Sequence, residues 1–188
     1  MAKDFLLEIG VEELPSAYMT RVLTELKSSI NNKFKELRIN TGAIEVYGTP
    51  RRLVVFVKDV AEKQEDAVIE SRGPKKNIAF DEKGEPTKAT LGFARSQGVK
   101  VEDLQIREVS GVEYLFNVRV EQGDETIKVL PDLLVDLIKN ISFPKSMRWG
   151  YYHLRFARPI RWILALYDQE IVNFSLENIN SSNFTYGL

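Results

Sequence analysis

A long amphipathic segment near the start of the chain is the pattern that most restricts its fold. Apolar residues recur there every three or four positions through about five turns, which predicts one helix with a single apolar face over about 15–37. We expect the segment to end at Gly42, with a positive φ. The recurring residues are Tyr18, Val22, Leu26, Ile30, Phe34 and Leu37. A helix of this kind has to bury its apolar face against another layer of structure.

Strand-like segments supply that layer. Residues 5–9 are short and apolar, and residues 53–57 are apolar on both faces, which is typical of a central strand. A second amphipathic helix ends near Ile141, and Pro131 either opens it or kinks it. We also expect a last strand over 171–176. These patterns predict an α+β fold in which a mostly antiparallel sheet carries two amphipathic helices on its face.

The middle of the chain differs in composition from its flanks. Charged and turn-forming residues dominate 61–86, and they are followed by a predicted helix over 87–97 and a hairpin around Ser110 and Gly111. We therefore expect a main lobe formed by 1–63 and 123–188. The segment 64–122 is a candidate for a small inserted lobe.

The composition excludes several classes of function. The absence of cysteine rules out disulfides, thiolate catalysis and thiolate metal sites, and a single histidine argues against a histidine-based metal centre. No apolar run is long enough to span a bilayer, and the first residues lack a secretory pattern. With a net charge of −1, any contact with nucleic acid has to be local.

The segment from 137 to 167 has no acidic residue, and it contains both tryptophans and the one histidine. Its cations are Lys139, Lys145, Arg148, Arg155, Arg158 and Arg161. Cations neutralise phosphates and aromatic rings stack on bases, so this basic strip is a candidate RNA-binding surface. Alternatively the strip packs internally or against a protein, with Trp149 and Trp162 as core or interface anchors.

Two further groups of charged residues are candidates for a site. Arg51 and Arg52 could hold a phosphate. If the strand has already begun at these residues, its alternation points their side chains in opposite directions. Glu12 and Glu13 precede a predicted helix, where the helix dipole favours acidic residues. An independent enzyme would have to use residues such as Glu8, Glu12, Asp81 or His153. We assign no catalytic or metal site, because no partner constellation accompanies them.

Several blocks of the chain, in order and over nearly its whole length, resemble the β subunit of the bacterial two-subunit glycyl-tRNA synthetases. These blocks are 5–15, 49–53, 79–81 with 86–98, 143–150 and 156–162. Two small departures are Val11, where the family usually has threonine, and Arg161, where histidine is common. The family continues beyond the 185–187 region, so we expect this chain to correspond to the N-terminal part of a β subunit.

The resemblance implies a role in glycyl-tRNA aminoacylation in the cytoplasm, with no membrane association. In this family the α subunit carries the ATP- and Mg²⁺-dependent aminoacylation site, and the β subunit binds tRNA(Gly). We therefore expect no cofactor, metal or catalytic residue in this chain. Its expected role is contact with tRNA, docking of the α subunit, or both. The candidate RNA contacts are Lys145, Arg148, Arg158 and Arg161, followed by Arg51 and Arg52.

Overall fold

The computed structural model describes residues 2–151 and 153–187. The chain divides into two compact units, one formed by Met1–Glu65 with Gly123–Leu188 and the other by Asp66–Gln122. In chain order the strands are β1 (Lys3–Val11), β2 (Ile44–Thr49), β3 (Arg52–Val60), β4 (Ala67–Lys75), β5 (Gln105–Val109), β6 (Val112–Glu121), β7 (Ile160–Tyr167), β8 (Glu170–Ile171), β9 (Ser175–Leu176) and β10 (Ile179–Ser182). The α-helices are α1 (Ser16–Glu36), α2 (Lys76–Ala79), α3 (Lys88–Gln97) and α4 (Thr126–Lys139).

The first unit, which we call the main unit, is built on one sheet. Its strands lie in the order β2-β3-β1-β7-β10-β9, and β8 pairs with β7. All these pairings are antiparallel except that of β10 with β7. The central strand β1 is almost fully buried, as its apolar sequence predicts. The predicted α+β class with a mostly antiparallel sheet is confirmed.

Two helices bury their apolar faces in the core of the main unit, as predicted. From α1 the buried residues are Val22, Leu26, Ile30 and Phe34, and from α4 they include Leu130, Leu133, Leu134, Leu137 and Ile138. Pro131 lies inside α4, which begins at Thr126, so the proline does not open this helix. None of the described helices has both the length and the apolar character that crossing a membrane requires.

Two sequence predictions about element ends are wrong. Arg38, at φ 56°, rather than Gly42 takes the left-handed conformation after α1, because the chain turns at once to bury Ile39. The strand predicted over 171–176 is two short strands, β8 and β9. Val172 is fully buried between them, and its carbonyl accepts a 2.7 Å hydrogen bond from the Ser181 hydroxyl, which folds this segment back on itself.

The second unit is a three-stranded antiparallel sheet in the order β4-β6-β5. The prediction of a helix over 87–97 is confirmed by α3, with Gly98 at φ 68° just after it. Leu115 and Asn117 are buried on the face where the Asn117 amide reaches Gln97 of α3. On the opposite face Arg72 lies 4.6 Å from the centre of the Tyr114 ring.

Candidate functional site

A group of residues near one end of the neighbouring strands β1, β3 and β7 surrounds Glu8, a carboxylate that is only 9% exposed. Its Oε1 accepts hydrogen bonds from Trp162 Nε1 at 2.7 Å and from the Thr185 hydroxyl at 2.6 Å. Its Oε2 lies 3.6 Å from the Arg52 guanidinium. A nearly buried carboxylate with a cation and two donors is fully partnered, which is how proteins tolerate such a group. We call Glu8, Gly10, Arg52, Trp162, Thr185 and Tyr186 the sheet-end cluster.

The indole of Trp162 lies flat against the backbone of β1. Gly10 is its direct partner across the β1–β7 pair, and a Cβ added there would lie 2.0 Å from Trp162 Cδ2. The ring of Tyr186 is 5.1 Å from the indole, and the Tyr186 carbonyl accepts a 2.7 Å hydrogen bond from Arg52. Arg52 and Trp162 therefore hold the segment after β10 against the sheet. Sequence reasoning missed Thr185 and Tyr186, because nothing in their local pattern marks them.

The other arginines near this end of the sheet also have partners. Arg51 pairs with Glu13 at 3.0 Å, and Arg161 pairs with Glu12 at 3.5 Å. A small cleft of about 180 Å³ lies between them, lined by Val11, Glu12, Arg51, Arg52, Arg161, Trp162 and Gly187. The residues that precede α1 thus neutralise arginines from other strands. Arg51 lies in the turn before β3, and Arg51 and Arg52 bind different carboxylates.

Residues 142–151 and 153–159 form an anchored loop, which we call the basic arm. Met147 and Phe156 exchange two backbone hydrogen bonds of 2.8 and 3.1 Å, and Phe156 packs edge-on against Phe143 with ring centres 4.6 Å apart. Arg155 Nε donates to the Ser146 hydroxyl at 3.2 Å. Trp149 is half-buried against the core of the main unit. The described part of the arm is therefore held in place at several points.

The cations of the basic arm differ in their surroundings. Lys145 and Arg148 are exposed, and neither has an ion-pair partner within the described part of the chain. Arg158 is exposed and donates only to backbone carbonyls, those of Glu13 at 3.2 Å and Ala157 at 3.1 Å. The structure therefore does not gather the predicted cations into one uniform surface. Within residues 2–151 and 153–187, Lys145, Arg148 and Arg158 form no ion pair, whereas Arg51, Arg52 and Arg161 each pair with a glutamate.

The residues considered for an independent enzyme have other surroundings. Glu8 accepts hydrogen bonds within the sheet-end cluster. Asp81 accepts hydrogen bonds from the backbone N–H groups of Lys83 and Glu85, both at 2.9 Å, in a turn of the second unit. His153 is exposed on the basic arm. Over residues 2–151 and 153–187, no group of three or more histidine, aspartate or glutamate side chains is arranged to hold a metal ion.

Comparison with known proteins decides the family. Residues 5–188 match the family model described as the glycyl-tRNA synthetase beta subunit. The chain belongs to this family. The match covers the sheet-end cluster and the basic arm together, so both are parts of one family region.

Individual relatives support the same assignment. The chain is 58% identical over 187 residues to the glycine–tRNA ligase beta subunit of Syntrophomonas wolfei and 52% identical over 187 residues to that of Desulforamulus reducens. It is 47% identical over 185 residues to the same subunit of Bacillus subtilis. These alignments cover 98–100% of this chain but 27% of each relative. The chain thus spans about a quarter of the length of the curated relatives it matches.

Proposed function

We propose that this chain is a non-catalytic part of a two-subunit glycine–tRNA ligase, in which it contacts tRNA(Gly) and assembles with the α subunit. The names of its relatives support the ligase and the presence of a second subunit. On this proposal the activation of glycine with ATP and Mg²⁺ takes place on the α subunit. The contribution of this chain is to position the RNA and the partner.

The observation that carries the RNA contact is the position of Lys145 and Arg148 on the basic arm. Both are exposed, and the described residues provide no carboxylate that neutralises them. A cation without a carboxylate partner can release counterions from a phosphate, whereas a paired arginine must first give up its own partner. Arg158 is the third residue of this kind, and Arg161 can take part only if it leaves Glu12.

The anchoring of the arm strengthens the proposal. The Met147–Phe156 pairing and the Arg155–Ser146 hydrogen bond fix the backbone on both sides of Arg148. A cation on a fixed backbone loses less conformational entropy on binding than one on a disordered tail. We therefore expect Lys145 and Arg148 to make a defined contribution to RNA affinity.

Titration of tRNA(Gly) with the complete two-subunit enzyme tests this proposal. Arg148→Ala and Lys145→Ala should each weaken binding, and each should reduce the slope of log affinity against log salt by about 0.7 to 0.9. Arg107→Ala is the matched control, because Arg107 is an exposed arginine that is paired with Glu70 at 2.5 Å. Affinity and salt slope unchanged in both arm variants would remove the RNA contact.

A second candidate function is a purely protein-binding role for the same arm. It is favoured by two exposed apolar side chains there, Met147 at 41% and Tyr151 at 102% of full exposure. Exposed apolar side chains of this kind are typical of a protein interface. Under this alternative Tyr151→Ser and Met147→Ser weaken binding of the α subunit, and Arg148→Ala leaves tRNA affinity unchanged.

A further inference from the structure

Strand β2 is an edge strand of the main sheet, and its outer side is open. It pairs with β3, and within residues 2–151 and 153–187 no strand pairs with its other side. The Lys58 N–H donates to the Ala43 carbonyl at 2.9 Å, which fixes the alternation of hydrogen bonds along the β2–β3 pair. Every second residue of β2 must therefore point its N–H and C=O groups away from the sheet. These residues are Ile44, Val46 and Gly48.

The other edge strands carry proline, irregular register, several charges or short length, whereas β2 carries one charged residue, Glu45. In the second unit, β4 contains Pro74 and a register shift, and β5 carries Arg107 and Glu108. At the far end of the main sheet, β9 has only two residues. Folded proteins protect exposed edges with proline, charge, irregularity or short length. The six residues of β2 include no proline and no lysine, so this edge is open to an added strand.

A groove runs beside this open edge, between β2 and α1. It has a volume of about 670 Å³ and is lined by Leu23, Thr24, Lys27, Ser28, Asn31, Gly42, Ala43, Ile44 and Val46. A Cβ added to Gly48 would lie 3.1 Å from Met19 Sδ, which shows that the even-numbered residues of β2 face α1. A strand added to β2 would place every second side chain in this groove. The apolar residues among its lining, Leu23, Ala43, Ile44 and Val46, then favour apolar side chains at alternate positions of the added strand.

Charge further restricts what can occupy the groove. Lys27 is an exposed lining residue, and no described residue forms an ion pair with it. Its other lining residues are uncharged. The acidic residue of β2, Glu45, faces the opposite side of the sheet, where it lies 3.8 Å from Lys58. The groove therefore complements a strand that brings its own carboxylate toward Lys27.

We infer that the outer edge of β2 accepts an extended segment of the α subunit, which adds to the main sheet as a further strand. The segment has apolar side chains at alternate positions and an aspartate or glutamate opposite Lys27. Its backbone supplies the hydrogen bonds, and the groove supplies the specificity. A second copy of this chain fits less well, because a paired β2 would present only Ile44, Val46 and Gly48 to the groove and no carboxylate. The inference rests on the assembly part of the proposed function.

The test uses the complete enzyme and measures the affinity of the α subunit for the β chain. Val46→Pro removes an outward N–H, and an edge strand tolerates proline at such a position. We expect it to weaken α-subunit binding by about tenfold or more. Val46→Thr is the matched control, because threonine keeps the N–H and the β-branched shape. It should stay within about twofold of the parent.

Charge reversal provides a second measurement that does not touch the strand. Lys27→Glu should weaken α-subunit binding about threefold to tenfold, whereas Lys35→Glu, on the same helix but outside the groove, should not. If Val46→Pro prevents folding, the comparison of Lys27→Glu with Lys35→Glu tests the inference instead. Equal affinity of the parent, Val46→Pro and Lys27→Glu chains would overturn the inference and leave assembly intact. Absence of any complex with the parent chain would instead remove the assembly proposal. Self-association of the β chain that Val46→Pro abolishes would also overturn the inference, in favour of a second copy.

Discussion

The sheet-end cluster contains Arg52, and the basic arm contains Arg148, Arg155 and Arg158. In the cluster Arg52 has a carboxylate, a backbone carbonyl and an indole as partners. On the arm, Arg148 is exposed and has no ion pair within the described part of the chain. Similar residues therefore have different physical roles in the two regions. Arg52 holds parts of the fold together, and Arg148 is exposed to solvent.

The difference shows that spacing along the chain is a poor measure of local charge. Arg158 and Arg161 are three residues apart, yet Arg161 lies 3.5 Å from Glu12, whereas Arg158 donates to two backbone carbonyls and pairs with no carboxylate of the described residues. The carboxylate of Glu12 comes from the turn after β1, more than a hundred residues away from Arg161 in sequence. A strip without acidic residues in sequence is therefore a divided surface in the fold.

The largest expected effect is on the cluster side of the comparison. Gly10→Ala should lower the free energy of unfolding by about 3 kcal/mol, because the new Cβ overlaps an indole that cannot easily move. The Trp162 ring is held by Glu8 on one side and Tyr186 on another. Denaturant unfolding measures the loss, and tryptophan fluorescence should report the displaced ring.

The matched control for this change is Gly92→Ala. Gly92 lies in α3, and a Cβ there meets nothing within 4 Å. Alanine should therefore stabilise the protein by about 0.5 to 1 kcal/mol, through helix propensity alone. If Gly10→Ala costs less than about 0.5 kcal/mol, the indole is not fixed and the cluster is not the rigid region that we describe.

A smaller effect separates the two regions directly. Arg52→Ala should cost about 1 to 2 kcal/mol of folding stability, because it leaves a nearly buried carboxylate and the Tyr186 carbonyl without their partner. Arg148→Ala should stay within about 0.5 kcal/mol of the parent. When tRNA(Gly) affinity is expressed per folded protein, Arg148→Ala should cause the larger loss of affinity and Arg52→Ala the smaller one. Equal stability losses in the two variants would contradict the difference between the sheet-end cluster and the basic arm.

Much of the fold was predictable because local pattern and burial agree. The apolar period of α1 and the continuous apolar run 53–57 of β3 each have one stable outcome, burial against the same core. The end of the chain was less predictable. Residues 170–182 form three short strands held by side-chain hydrogen bonds such as that of Ser181 to Val172, and hydrophobic periodicity carries no information about such bonds.

The candidate site shows the same limit more strongly. Sequence reasoning selected Trp162, Arg51 and Arg52 as candidates, and all three lie at the cleft beside Glu12. It could not assign their partners, because Glu8 and Thr185 are 177 residues apart in the chain and meet only in the folded sheet. Residue type indicated which side chains matter, and the pairing of β1 with β7 determined what they contact.

The smallest expected effect concerns Tyr167, at the opposite end of β7 from Trp162. It tests whether this end of the strand has a polar anchor of its own. Burial raises the pKa of Tyr167 to about 12, and its hydroxyl donates to the Val60 and Ala61 carbonyls at 3.1 Å each. Tyr167→Phe should cost about 1 kcal/mol at pH 8 through these hydrogen bonds. An unfolded tyrosine ionises near pH 10, so the stabilisation is complete below pH 10 and is lost as the pH rises toward 12. Denaturant unfolding at pH 8 and pH 11 should therefore show a smaller difference between parent and variant at pH 11. A difference that stays constant between the two pH values would show that the Tyr167 hydroxyl is not a buried anchor of β7.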